Sequence, residues 1–314
     1  MTESFRATRM YTPSSTPAHG LQHGASHPRD LLARRPAPFI WQEAARRLAE
    51  RLPLLRLQPE VALDIGCAWG DGLALLRRQY AQARIIGVEP STVLAQAARH
   101  AHAGQGWLRS LRGSGPTEVL AAPLEGQAGA QVPLPAAQMV WSNLALPWVA
   151  DLDALFAAWN RALLPEGVLM FTTFGPDTLR ELRQAECRGL GAAPPAYADM
   201  HDLGDLLVHQ GFAEPVMDME MLRLRYSSPK AALDELAALG RPAHAGAAAG
   251  LRTPRHWQAL QDALLHQAQA AGRADIEFSF ELIYGHAFKP ATQHARAGVA
   301  SFPLEQLRAS GHRR

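Results

Sequence analysis

"VALDIGCAWGDG", Val61 to Gly72, is the stretch on which the fold turns. An apolar run closes on an acid, Asp64, and Gly66, Gly70 and Gly72 follow. This reads as a buried strand, a tight turn and the start of a helix. In an open parallel sheet, ligands sit beyond the carboxyl ends of the strands. Glycines there let backbone approach a ligand, and the next helix offers its N-terminus.

Working outward, the same alternation repeats. "FIWQEAARRLAERLPLL" places Ile40, Ala44, Leu48 and Leu52 on one helical face. After the first strand, Asp71–Tyr80 predicts a helix, "ARIIGVEP" a second strand ending at Glu89, and Ser91–Ala103 a helix capped by Ser91. Thr117–Leu120 and "AQMVWSN" read as strands, "DLDALFAAWNRALL" as a helix ended by Pro165, and "GVLMFTTFGP" as a further strand. "PVMDMEMLRLRYSS" and "IEFSFELIYGHAFKP" are strand-like, with helical stretches between them, and suit an antiparallel pair at one edge. The expectation is an α/β fold, a mostly parallel sheet with helices on both faces. Residues 1–35 are expected to be a disordered leader, 36–290 the folded domain, and 291–314 a loosely held tail.

Bulk properties exclude several classes. The chain has 314 residues and a formal net charge of +2, so no strong field draws it to nucleic acid or membrane. Its two cysteines, Cys67 and Cys187, form neither a metal spacing nor a disulfide framework. No metal is expected, no apolar run reaches spanning length, and a cytoplasmic setting fits.

Glu89, at the end of the second strand, can accept hydrogen bonds from both hydroxyls of a ribose. A nicotinamide dinucleotide wants G-x-G-x-x-G, and the spacing here fits that poorly. S-adenosylmethionine (SAM) carries no phosphate, and its loop typically runs apolar-Asp-x-Gly-x-Gly-x-Gly with the acid near the methionine amine. The stretch fits with one substitution, Ala68 for the middle glycine. Cofactor-binding candidates are therefore Asp64, Gly66, Ala68, Gly70, Glu89 and Pro90, with Ser142 and Asn143 after the fourth strand.

Two longer segments narrow the reading. "VWSNLALPWVADLDALFAAWNRALLPEGVLMFTTFGPDTLREL" and "YADMHDLGDLLVHQGFAEPVMDMEMLRLRYSS" resemble the BioC-type malonyl-acyl-carrier-protein O-methyltransferases of biotin synthesis. The likeness runs from about Pro36 to Pro290. It implies a class I SAM-dependent methyltransferase: seven strands with the last pair antiparallel, and helical insertions forming a lid. It implies SAM as methyl donor, and as acceptor a malonyl thioester on acyl carrier protein, an acidic partner. Trp148, Phe174, Arg180 and Arg223 are candidates for the acceptor pocket, alongside Arg183 and Arg225; no catalytic residue stands out. The arginine pairs Arg34-Arg35, Arg46-Arg47 and Arg77-Arg78 are candidates for a basic docking surface. Asp202 of the "MHD" block is expected to cap a helix. The chain departs from the family pattern at Ala68, at Gln138 where an aspartate opens the fourth strand, and at Pro147. Glu125 is the only acid offered after the third strand. A methyltransferase on another acceptor and a non-catalytic scaffold of the same fold stay open as alternatives.

Overall fold

The computed structural model describes residues 27–34, 37–103, 115–125, 134–184, 195–240 and 253–291. The strands are β1 (Val61–Ile65), β2 (Arg84–Glu89), β3 (Thr117–Ala121), β4 (Ala137–Asn143), β5 (Leu163–Phe174), β6 (Ala213–Tyr226) and β7 (Ile276–Phe288). They form a seven-stranded sheet in the order β3-β2-β1-β4-β5-β7-β6. β1 to β5 pair parallel, whereas β7 is antiparallel to both β5 and β6. The last two strands are thus an antiparallel pair, with β7 inserted between β5 and the edge strand β6. The parallel strands are buried on both faces and read as apolar runs rather than alternations.

The α-helices are α1 (Phe39–Ala49), α2 (Asp71–Gln79), α3 (Thr92–Ala103), α4 (Leu152–Ala162), α5 (Met200–His209), α6 (Pro229–Leu239) and α7 (Pro254–Ala270). One face of the sheet packs α1, α2, α3, α6 and α7 through side chains such as Ile40, Leu73, Leu94, Leu233 and Leu260. The other face packs α4 and α5, with Phe156, Trp159, Leu203 and Leu207 against Phe171 and Ile283. Helix starts are fixed as the sequence chemistry requires. Ser91 Oγ accepts the Leu94 N–H at 3.1 Å, and Asp151 and Ser228 cap α4 and α6. Each such cap contributes about 1 kcal/mol. α5 is capped by Asp199, whose carboxylate accepts the His201 N–H; Asp202 lies inside the first turn and is not the cap. α4 ends at Ala162, before Pro165, because Leu163 already pairs with Ala137 at the start of β5.

Part of the segment expected to be a leader, residues 1–35, is built into the fold. Pro28–Arg34 forms a 3₁₀ helix in which Arg29 and Leu32 are buried. The Asp30 carboxylate accepts the Ser91 hydroxyl at 2.6 Å, pinning this segment to the start of α3. The tail from residue 292, Arg35 and Cys187 lie outside the described residues.

Arg47 and Arg77 tie elements of the fold together, and the Arg34 side chain lies outside what is described. Arg46 and Arg47 both bind Glu43, and Arg47 also reaches Glu220 on β6. Arg77 is buried and donates to the carbonyls of Ala81, Ala83 and Pro116, clamping the entries to β2 and β3. Gln138 is likewise structural. Its side-chain oxygen accepts the Val61 N–H at 2.9 Å, at the end of the sheet opposite Glu89. Pro147 sits in the first turn of a 3₁₀ helix, Leu146–Trp148, where a missing N–H leaves no bond unmade.

Candidate cofactor and acceptor site

The site forms where β1, β2 and β4 end. Asp64 and Glu89 are both buried there. Gly66 and Gly70 adopt φ of +80° and +93°, the left-handed region that glycine enters at no steric cost. A Cβ on Gly66 would stand 2.6 Å from the Ala145 Cβ, so the turn has no room for a side chain. Gly70 is also the N-cap of α2, so the helix opens directly onto this turn. A Cβ on Gly72 would land on the Asp64 carboxylate and the Trp141 indole, which explains the third glycine.

Ala68 departs from what its side chain prefers. Its φ is +45°, where a Cβ crowds the following carbonyl oxygen at a cost of about 1–2 kcal/mol. The strain is held because the Ala68 N–H donates to Glu89 Oε2 at 3.0 Å. The turn therefore keeps the shape a glycine would give it.

Glu89 is held by four donors. Besides Ala68, the Ser91 N–H donates to Oε1 at 3.1 Å, and Arg29 donates from Nε to Oε1 at 2.8 Å and from Nη2 to Oε2 at 2.6 Å. This Arg29–Glu89 pair has both side chains fully buried. A buried pair contributes little net stability compared with apolar packing, whereas removing one partner costs about 3–5 kcal/mol. The Arg29 guanidinium lies between two tryptophan rings, 5.8 Å from the Trp41 centroid and 5.4 Å from that of Trp148. Trp69 packs edge-on against Trp41.

Burial, reinforced by the nearby charges of Glu89 and Asp71 and opposed by Arg29, pushes Asp64 up to about 8. Its Oδ2, the Trp141 Nε1 and the Arg29 Nη1 have no hydrogen-bond partner among the described residues. Burial also drives the thiol of the neighbouring free cysteine, Cys67, well above its ordinary range.

Ser142 and Asn143 take a framing role. Ser142 Oγ donates to the Ile65 carbonyl at 2.8 Å. Asn143 donates to the Trp41 carbonyl at 3.0 Å and accepts from Thr172 Oγ1 at 2.7 Å. These bonds tie β4 to β1, α1 and β5 and leave each side chain further hydrogen-bonding capacity. Pro90 fixes the turn after Glu89. On the acceptor side, Phe174 ends β5 against Tyr197 and Phe280. Arg180 lies nearby in a 3₁₀ helix, Arg180–Arg183, and only loosely faces Glu181 at 3.7 Å. Arg223 is exposed on the edge strand β6. Arg183 is committed to the Thr178 carbonyl and Arg225 to Glu277.

Sequence reasoning missed Arg29, Trp41 and Trp141. Arg29 sits in a stretch too short for periodicity. The two tryptophans read as apolar filler, and the structure brings Trp41 beside Arg29 and Trp141 beside Asp64.

SAM fits this site by what the protein leaves unsatisfied. The buried Asp64 keeps Oδ2 without a partner among the described residues, as an acid set to meet a cation would, beside a glycine turn and next to a strand that ends in a second acid. Residues 63–171 match the family model described as a methyltransferase domain. Solved structures of similar fold include YcgJ of Bacillus subtilis, with a TM-score of 0.54 at 12% identity, covering 78% of this chain and 98% of that one. Another, from Bacillus halodurans C-125, has a TM-score of 0.53 at 15% identity, covering 78% and 99%. Fold and site define a class I SAM-dependent methyltransferase, with SAM as its cofactor.

The malonyl-[acyl-carrier protein] O-methyltransferase of Laribacter hongkongensis is 39% identical over 265 residues, 83% of this chain and 86% of that protein. The enzyme of the same name from Gallionella capsiferriformans is 39% identical over 268 residues, 83% and 88%. The chain belongs to the malonyl-[acyl-carrier protein] O-methyltransferase family. Among the described residues, no helix is long and apolar enough to cross a membrane.

Proposed function

We propose that the protein methylates the free carboxylate of a malonyl group carried as a thioester on acyl carrier protein, in the cytoplasm and in service of biotin synthesis. The observation that carries this is the buried pair of acids at the ends of β1 and β2, beside the glycine turn, in a chain of this family. When bound, the cofactor supplies an electrophilic methyl group on a positively charged sulfur.

The protein's task follows from charge. A malonyl carboxylate, with a pKa of about 4, is already ionised at neutral pH. No general base is needed. Opposite charges cancel during transfer, and water would stabilise the separated charges more than the transition state. The residues should therefore exclude water and align the reacting atoms. Trp41, Trp69 and Trp148 wall the cofactor end. Glu89 would hold the ribose hydroxyls and Asp64 would meet the methionine ammonium of the bound cofactor. Phe174 lines the acceptor side, where Arg180 and Arg223 are the candidates to grip the second carboxylate oxygen.

Expression in a biotin auxotroph lacking its own malonyl methyltransferase tests the acceptor. Growth without biotin is expected from the native chain. Failure to grow, with SAM binding intact, would assign the enzyme to another acceptor.

A further inference from the structure

Glu89 is the acid proposed to bind ribose, yet its carboxylate already accepts from Arg29 Nε, Arg29 Nη2, Ala68 N and Ser91 N. A carboxylate offers about four acceptor positions, so all are filled. Two of these donors are backbone groups fixed by the turns. The two from Arg29 are the ones a ribose diol can replace.

We infer that Arg29 is a cofactor-positioning residue that changes partner on binding: it neutralises Glu89 in the ligand-free protein, then holds the cofactor's α-carboxylate once ribose takes Glu89. This rests on the cofactor reading above. Displaced from Glu89, the guanidinium does not leave. Its segment is anchored independently, by the Asp30–Ser91 bond and by the buried Leu32. The rings of Trp41 and Trp148 flank it, and it already reaches the Gly66 carbonyl, 3.4 Å from Nη2. A buried guanidinium deprived of its anion is strongly disfavoured, so it requires another. SAM carries two cations, the sulfonium and the ammonium, for which Asp64 is suited. Its only anion is the α-carboxylate. Nη1, buried and without a hydrogen-bond partner, is a donor waiting for that group. Pairing there, shielded from water, is a charge-assisted and geometrically selective contact.

Calorimetry with two ligands tests this on the full chain. S-adenosylhomocysteine carries the carboxylate; 5′-methylthioadenosine has the same nucleoside and thioether but no amino-acid end. Arg29→Ala is expected to weaken S-adenosylhomocysteine by about tenfold or more. Methylthioadenosine should bind unchanged or tighter, because Glu89 is no longer contested. Arg29→Lys, which keeps the charge but loses the fork, should fall between for S-adenosylhomocysteine. Equal changes for both ligands, or no loss for S-adenosylhomocysteine, would overturn the inference.

If Arg29→Ala does not fold, the α-carboxyl methyl ester of S-adenosylhomocysteine decides. It should bind the native chain far more weakly than the free acid, and the gap should narrow in Arg29→Lys; an unchanged gap overturns the inference. If neither nucleoside binds the native chain, the cofactor reading itself falls and this inference with it. If both bind and Arg29 variants do not discriminate between them, this inference alone falls.

Discussion

Ala68 shows how a position can be legible in a sequence while its consequence is not. Its place in the glycine pattern was readable; its φ of +45° was not, because the sign of a backbone angle is set by the Glu89 contact across the turn. Replacing Ala68 with glycine should relieve the strain, partly offset by glycine's greater unfolded entropy. A net gain of about 1 kcal/mol is expected, or about 2 °C in the melting temperature of a chain this size. An unchanged or lower melting temperature would show that the turn carries no such strain. Asp64 makes a second prediction at this scale. Burial raises it from 3.8 to about 8, so between those values the native protein keeps a proton that the unfolded chain has lost. Its contribution to stability is fully present below about pH 4 and is lost as pH rises through about 8. The ligand-free melting temperature should therefore fall between about pH 5 and pH 8, and Asp64→Asn should flatten that fall. Equal slopes in the two proteins would contradict the shift. The identity of Asp64 and Glu89 was readable from spacing, whereas the partner of Glu89 was not, since Arg29 is distant in sequence and belongs to a stretch with no periodicity.

At the scale of elements, all seven strands and the order of the first helices follow from pattern, because buried parallel strands leave apolar runs bounded by turn residues. What pattern does not carry is the geometry between elements. The antiparallel pair was expected at one edge; its insertion as β5-β7-β6 depends on a register that only long-range pairing sets. Cap assignment failed at α5 for a local reason. Asp199 and Asp202 are both plausible acids before the same apolar run, and the bond to the His201 N–H selects the earlier one. The 3₁₀ helix Pro28–Arg34 was lost in a polar, Arg-rich stretch, although it supplies the side chain, Arg29, that pairs with Glu89 from outside the sheet. Charge pairs hid a further use in the same way: Arg47 and Arg77 read as surface charge and also cross-tie elements, Arg47 to Glu220 on β6 and Arg77 to the carbonyls before β2 and β3.

Across the whole molecule, the sheet buries helices on both faces and leaves its functional chemistry to one end. Gln138 lies at the other end, so its departure from the family pattern bears on the entry to β1 and not on the cofactor. Ala68, a departure within the turn itself, preserves the turn's shape. The molecule is built as a methyltransferase, and the reaction proposed for it is transfer to a malonyl carboxylate on a carrier protein. Intact-mass spectrometry of malonyl-acyl carrier protein incubated with the enzyme and SAM tests that claim most directly. The account predicts that the carrier gains the mass of one CH2 group, that the gain is lost on ester hydrolysis, and that acetyl-acyl carrier protein, which lacks the free carboxylate, gains nothing. An unmodified malonyl carrier in the presence of bound SAM, or equal methylation of the acetyl carrier, would contradict it.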